Sequence, residues 1–209
     1  MASNQKQNTL LKDAVILFVI TLIAGALLGL CNEATKDAIQ AAKDKAKQEA
    51  YMKVFSTATK FVEDDAINAK VNDSEKILKD LKLSGATVSE VLVAKDDQDN
   101  ELGYVVSFVA KEGYGGDINL SMGMTKEGEI TGLEVLSMSE TAGLGAKCTQ
   151  SEFKDQFAGI NADKIVYTKD GKAADNEIDA ISSATITTKA VTKAVNVANT
   201  FIKQSIMQG

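Results

Sequence analysis

The 209-residue chain contains no histidine, no proline and no tryptophan, and only two cysteines, Cys31 and Cys148. Without histidine there is no serine–histidine triad, no imidazole base and almost no route to a zinc, copper or haem site. Two thiols are too few to hold an iron–sulfur cluster from one chain. Metal binding by carboxylates alone stays open, and no metal ligand is assigned. Nothing favours a disulfide between the two cysteines. The net charge of −6 argues against a nucleic-acid partner. A chain of this composition that carries electrons needs a cofactor that asks little of its side chains.

What is present begins with a long apolar run. Residues 14–30, AVILFVITLIAGALLGL, carry no charge. At about 1.5 Å per residue the run spans roughly 25 Å, near the lower limit for a membrane helix. Three readings compete: an uncleaved anchor, a cleaved signal peptide and a buried core helix. The run is long for a signal peptide, which favours an anchor over 14–31 after a polar tail at 1–13. Leu30 stands where a lipoprotein site needs a small residue, so Cys31 reads as a small apolar residue at the membrane boundary. Lysines flank the run on both sides, so the positive-inside rule does not orient it. Residues 32–55 are rich in Ala, Lys, Glu and Gln and predict a stalk helix, with a connector to about residue 73.

The compact domain is expected over 74–209. A short helix is predicted from Ser74. Residues 86–94, 102–110, 118–124 and 130–138 have strand composition or period-2 alternation, separated by short polar turns. Close spacing of this kind predicts an antiparallel sheet. A short helix capped by Ser151 and a further strand at 164–167 follow. From about Ile186 to Met207, apolar residues recur at three- and four-residue spacings, which predicts a helix packed on the sheet. The fold class is therefore α+β, with helices on one side of an antiparallel sheet.

Three stretches have the composition of a binding site. Gly113-Tyr114-Gly115-Gly116 reads either as a bulged turn or as a place where a flat ligand or phosphate approaches the backbone. Glu140-Thr141-Ala142-Gly143-Leu144-Gly145 reads either as a loop or as a pocket wall with N–H groups, a hydroxyl and a carboxylate. The run from Asp179 through Ile181-Ser182-Ser183-Ala184-Thr185 to Thr187 and Thr188 precedes the closing helix. Its hydroxyls suit a helix cap, and the same helix end suits an anion such as phosphate.

Together these residues resemble the FMN-binding domain family. Asp-x-x-Ser-(Gly or Ser)-Ala-Thr is similar to that family's flavinylation motif, in which the final Thr forms a phosphoester with FMN. Here that residue is Thr185. The 113–116 and 140–145 segments resemble the family's two glycine loops, with Ala142 in place of Pro and Ser183 in place of the motif's usual Gly. Relatives with this layout are the G subunit of the Rnf electron-transport complex and the C subunit of the sodium-translocating NADH:quinone reductase. The short chain is more similar to the former.

The resemblance implies an extracytoplasmic FMN domain, partner membrane and peripheral subunits, and a separate flavin transferase that installs the cofactor. The absence of a histidine base in this chain agrees with modification by another enzyme. The resemblance also implies FMN contacts from Ser182, Ser183 and Ala184, from Tyr114, Gly115 and Gly116, and from Glu140, Thr141, Gly143, Leu144 and Gly145. Thr187 and Thr188 are expected to donate to the phosphate. Asp179 is expected either to be recognised by the transferase or to orient its loop. The implied role is electron relay within an ion-translocating ferredoxin:NAD oxidoreductase, with little turnover by this polypeptide alone. The competing readings are the equivalent flavin protein of the quinone reductase, a cofactor-free anchored assembly module, and a free-standing flavin reductase.

Overall fold

The computed structural model describes residues 2–208 and the side chains of residues 12–208. Helix α1 (Ala2–Val54) is one unbroken helix that takes in the expected tail, anchor and stalk. No proline interrupts it. The Thr21 and Thr35 hydroxyls donate back to Leu17 O and Cys31 O, which satisfies them inside the helix. The apolar side chains of its first half, from Val15 to Leu30, are exposed. This helix is long and apolar enough to cross a membrane.

The chain divides into two compact units, one up to Lys45 and one from Ala46 onward. The second unit thus takes in residues 46–73, which composition suggested as stalk and connector. It adds β1 (Lys60–Val62) and α2 (Asp65–Asn72), neither of which the residue pattern predicted. The strand is too short to show a period. The short helix depends on Asp64, whose carboxylate accepts from the N–H groups of Ala66 and Ile67. Helix α3 (Ser74–Asp80) forms where expected.

The sheet is an antiparallel meander in the order β1-β2-β3-β4-β5. Strands β2 (Ala86–Lys95), β3 (Glu101–Ala110), β4 (Ile118–Thr125) and β5 (Ile130–Ser137) lie close to the predicted runs. Register decides where the loops go. Ala110 pairs with Ile118, and Asn119 pairs with Ser137. The 111–117 and 138–145 loops therefore leave the same end of the sheet, side by side.

One face carries the main core. Val106, Phe108, Leu120, Met122, Met124 and Leu133 pack there with Val191, Val195, Ala198 and Phe201 of α5 (Thr185–Phe201). Each fully buried apolar side chain of this size contributes about 1.5–3 kcal/mol. Helix α5 ends in a π-helical turn, Ile202–Met207, where a continuous α-helix was expected.

The other face is not bare, which corrects the expectation of helices on one side. The last turns of α1 lie on it, with Tyr51, Val54 and Phe55 packed against Leu92, Ala94 and Val105. Gly123 and Gly132 face each other there, and a Cβ on either would run into the Val54 backbone. Thr131 Oγ1 donates to Val54 O, and the Tyr51 hydroxyl donates to Glu90 and pairs with Ser107 Oγ at 2.9 Å. Alternating small residues on this face are thus the seat of a helix end.

Between β5 and α5 the chain is irregular. Helix α4 (Ser151–Lys154) starts after Gln150 with no side-chain cap, so Ser151 is its first residue and not its cap. The expected strand at 164–167 is β6 (Val166–Thr168), and it pairs in parallel with β7 (Glu177–Asp179), which composition did not reveal. Asn196 of α5 holds this segment by bonding both the N–H and the C=O of Ile165 at 2.7 Å.

Candidate functional site

The three candidate stretches meet at the end of the sheet where the two loops emerge. Glu140 joins them. It is only 8% exposed. Its Oε1 accepts from the Gly115 N–H at 3.0 Å, and its Oε2 accepts from Thr187 Oγ1 at 2.7 Å. One carboxylate therefore ties together the 113–116 loop, its own loop and the first turn of α5. Burial is tolerable because both of its oxygens receive a donor.

The glycines make room for this junction. A Cβ at Gly145 would collide with the Glu140 carboxylate and with Thr187 Oγ1. A Cβ at Gly113 would press on Glu140 Oε1, and one at Gly115 on the Ser139 carbonyl. Gly143 has another use: its φ of +77° lets the 141–144 turn close, so that the Leu144 and Ala146 N–H groups both donate to Thr141 O. That closure leaves Ala142 to serve where a proline would otherwise stiffen the turn. Lys111 Nζ reaches Asp117 Oδ2 at 2.6 Å and closes the other loop at its base.

The start of α5 is built differently from the expected cap. The N-cap residue is Ala184, and no side chain caps the helix. Ser182 and Ser183 are exposed. Ser183 has φ +63°, a left-handed conformation that explains why a glycine suits this position. The turn is held from inside the helix by Thr188. Its Oγ1 accepts from the Ile181 N–H and donates to Ala184 O, both at 3.0 Å. The first intrahelical bond runs from Thr188 N–H to Ala184 O. The N–H groups of Thr185, Ile186 and Thr187 precede that ladder and form the positive end of the helix.

This arrangement revises the roles expected of Thr187 and Thr188. Both are buried, 1% and 0% exposed, and both hydroxyl protons already go to protein acceptors. Thr185 is half-buried at the first position of the helix. An anion at this end would meet backbone N–H groups, not the hydroxyls of 187 and 188.

Tyr114, Leu144 and Ile186 sit one on each converging segment, and all three are exposed. Outside α1 they are the only exposed large apolar side chains among the described residues. Each is adjacent in sequence to a residue of the Glu140 junction. An apolar rim beside a positive helix end suits a flat ring that carries a phosphate tail.

Asp179 ends β7. Its Oδ1 accepts from the Lys172 N–H at 2.6 Å, and its own N–H donates to Gln156 Oε1 at 2.6 Å. Its carboxylate fixes the loop ahead of the motif. Beside it lies a cavity of about 360 Å³ bounded by Lys147, Phe153, Gln156, Asp179 and Ser182. Gln156 had no signal in the sequence, because its bonds to Asp179 reach backbone atoms 23 residues away. The same is true of the Glu112–Lys193 ion pair, which ties the 113–116 loop to α5. Cys148 is fully buried behind Glu140, and burial, aided by the Glu140 charge, pushes its thiol up to about 11. Such a thiol stays protonated and unreactive near neutral pH. Cys31 is free and exposed.

The FMN-binding domain family matches residues 113–200, a span that includes all three stretches. The chain is 35% identical over 188 residues to the G subunit of the Na+-translocating ferredoxin:NAD+ oxidoreductase complex of Acetobacterium woodii, covering 88% of this chain and 87% of the relative. It is 35% identical over 134 residues to the G subunit of the proton-translocating complex of Clostridium ljungdahlii, covering 64% and 68%. Among solved structures, the C subunit of the Na+-translocating NADH-quinone reductase of Parabacteroides distasonis superimposes with a TM-score of 0.51 at 18% identity, covering 80% of this chain and 95% of that one. That likeness is one of fold and supports the α+β assignment. The chain belongs to the family of G subunits of ion-translocating ferredoxin:NAD+ oxidoreductase complexes.

Proposed function

We propose that this chain is the electron-carrying flavin subunit of a membrane-bound, ion-translocating ferredoxin:NAD+ oxidoreductase complex, and that its FMN is bound by a phosphoester to Thr185. The observation that carries this reading is the junction at Glu140. It brings the glycine loops to the first turn of α5, where Thr185 is the threonine whose hydroxyl is not committed to a buried partner. The N–H groups of Thr185 to Thr187 at the positive helix end would hold the phosphate of that diester. Tyr114, Leu144 and Ile186, the exposed apolar residues on the three segments, would give the ring an apolar seat. The flavin supplies the redox chemistry when bound. This chain's residues hold it, set its surroundings and prevent its loss.

Attachment is the work of a separate flavin transferase acting on an activated flavin dinucleotide. The Thr185 Oγ1–phosphorus bond forms, the phosphorus–oxygen bond to the departing nucleoside monophosphate breaks, and the hydroxyl proton goes to a base on the transferase. No electrons change hands in that step. Helix α1 anchors the protein beside its partner subunits, with the flavin domain on the extracytoplasmic side. Turnover by this polypeptide alone is not expected.

The test is the intact mass of the full chain made with and without the transferase. A gain of one FMN less one water, lost in Thr185→Val, supports the assignment. Unmodified Thr185 in protein taken from its native membrane refutes it.

A further inference from the structure

We infer that Glu140 is the positioning residue for flavin attachment: by holding Thr187 and Gly115 together it sets the register in which Thr185, and not Thr187, is offered for modification. This rests on the reading of Thr185 as the attachment site. It goes beyond that reading in assigning Glu140 a role other than contact with the cofactor.

Several hydroxyl groups lie within a few residues of one another here, at Ser182, Ser183, Thr185, Thr187 and Thr188. Something must distinguish them. Thr188 is withdrawn by the turn, since its hydroxyl bonds the Ala184 carbonyl and the Ile181 N–H. Ser182 and Ser183 are exposed, but they precede the helix and lack its converging N–H groups. Thr187 is the true competitor. It shares the first turn with Thr185 and lies equally close to the positive helix end. What removes it is Glu140, a carboxylate that comes from the end of β5, 47 residues away in sequence. With its hydroxyl proton committed and only 1% of its surface exposed, Thr187 has no accessible nucleophilic oxygen.

The same bond fixes the rotation of α5 about its axis. Thr185 and Thr187 are about 200° apart around a helix, at 100° per residue. Turning Thr187 inward onto Glu140 therefore turns Thr185 outward. The other oxygen of Glu140 anchors the Gly115 N–H and so fixes the loop that carries the exposed Tyr114. Attachment point and ring seat are aligned through one side chain.

The experiment uses the full chain in membranes, co-expressed with the transferase, and reads the initial rate of flavin incorporation by intact mass and in-gel fluorescence. Peptide mapping locates the flavin. Glu140→Ala is expected to lose at least tenfold in rate. Glu140→Gln keeps an acceptor for the Gly115 N–H and a donor for the Thr187 oxygen, and is expected to return to within about threefold of the parent. Thr187→Val, which is close to isosteric and guards against a folding failure of Glu140→Ala, is expected to fall at least threefold while its thermal transition stays cooperative. A residual product of Glu140→Ala that maps partly to Thr187 also supports the assignment. Folded Glu140→Ala and Thr187→Val proteins modified at Thr185 as fast as the parent overturn it, and leave Thr185 as the attachment site. An unaltered chain that takes up no flavin at Thr185 overturns the functional reading, and this inference with it.

Discussion

Replacing Gly145 by alanine tests the junction more sharply than any change at an exposed loop position. The added Cβ has no room, because it meets the Glu140 carboxylate and Thr187 Oγ1 at once. Backbone strain is not the issue, since Gly145 does not have a positive φ. The carboxylate must swing away and give up its bonds to Gly115 N–H and Thr187 Oγ1. Bonds to a charged group contribute about 1.5–3 kcal/mol each, so the loss is about 3–6 kcal/mol. The reduced entropy of the unfolded alanine chain returns about 0.4–1 kcal/mol. A net loss of about 2–5.6 kcal/mol corresponds to a fall of roughly 4–22 °C in Tm for a unit of this size. Gly143→Ala is the control. That position has φ +77° and nothing within 4 Å of the added carbon, so only the left-handed cost of about 1 kcal/mol applies. The assay is thermal unfolding of the detergent-solubilised chain, followed by tyrosine near-ultraviolet circular dichroism. If Gly145→Ala melts no lower than Gly143→Ala, Glu140 does not hold the three segments together.

Three further outcomes are expected. Ser183→Gly removes a side chain from a left-handed residue and should raise stability by about 0.5–1 kcal/mol in chemical denaturation, whereas Ser183→Val should lower it. Alkaline pH should weaken the fold. The Cys148 thiol rises from 9.0 to about 11 through burial and the Glu140 charge, and the Tyr51 hydroxyl rises from 10.0 to about 12 through burial and its bond to Glu90. Both folded pKa values are raised, so the native state retains protons that the unfolded chain releases. Denaturation midpoints should therefore hold up to pH 9 and fall from there towards pH 12, and Cys148→Ala should remove the earlier part of that fall. Gly123→Ala should loosen the seat of α1 by about 1–3 kcal/mol, seen as faster amide exchange in residues 51–55, because its Cβ meets Val54 O and Thr131 Oγ1.

The back of the sheet shows how the end of α1 and the candidate site share one scaffold. Ser107, Gly123 and Gly132 are small where the end of α1 lies against them. Lys47 reaches Glu90 at 2.7 Å, and Glu90 also receives the Tyr51 hydroxyl, so a partly exposed ion pair covers a part-buried hydrogen bond. The Lys47–Glu90 pair itself adds little, since screening leaves such pairs at about 0–1 kcal/mol. The buried apolar contacts of Tyr51, Val54 and Phe55 hold the helix end in place. Strands β3 and β4 carry this seat on one face and the main core on the other.

Local physics, read along the chain, determined a good deal. The uncharged run and the strong helix formers after it specify α1, because helix propensity and the absence of proline act residue by residue. Strand composition, with period-2 alternation in the 118–124 run, and polar turns specify β2 to β5, since apolar and β-branched residues suit a pleated, packed surface. The three site segments were recognisable because close backbone approach leaves a trace as glycine and hydroxyl residues. What the sequence could not contain is the pairing of groups far apart along it. That Glu140 receives Gly115 and Thr187, that Gln156 grips Asp179, and that Gly123 and Gly132 receive Val54 depend on register and helix docking. Tertiary packing also commits the hydroxyls of Thr187 and Thr188, expected to donate to a phosphate, to protein acceptors, and leaves the helix without a side-chain cap. A hydroxyl ahead of a helix is equally suited to solvent, an anion or a neighbouring carboxylate, and only the fold decides which it meets.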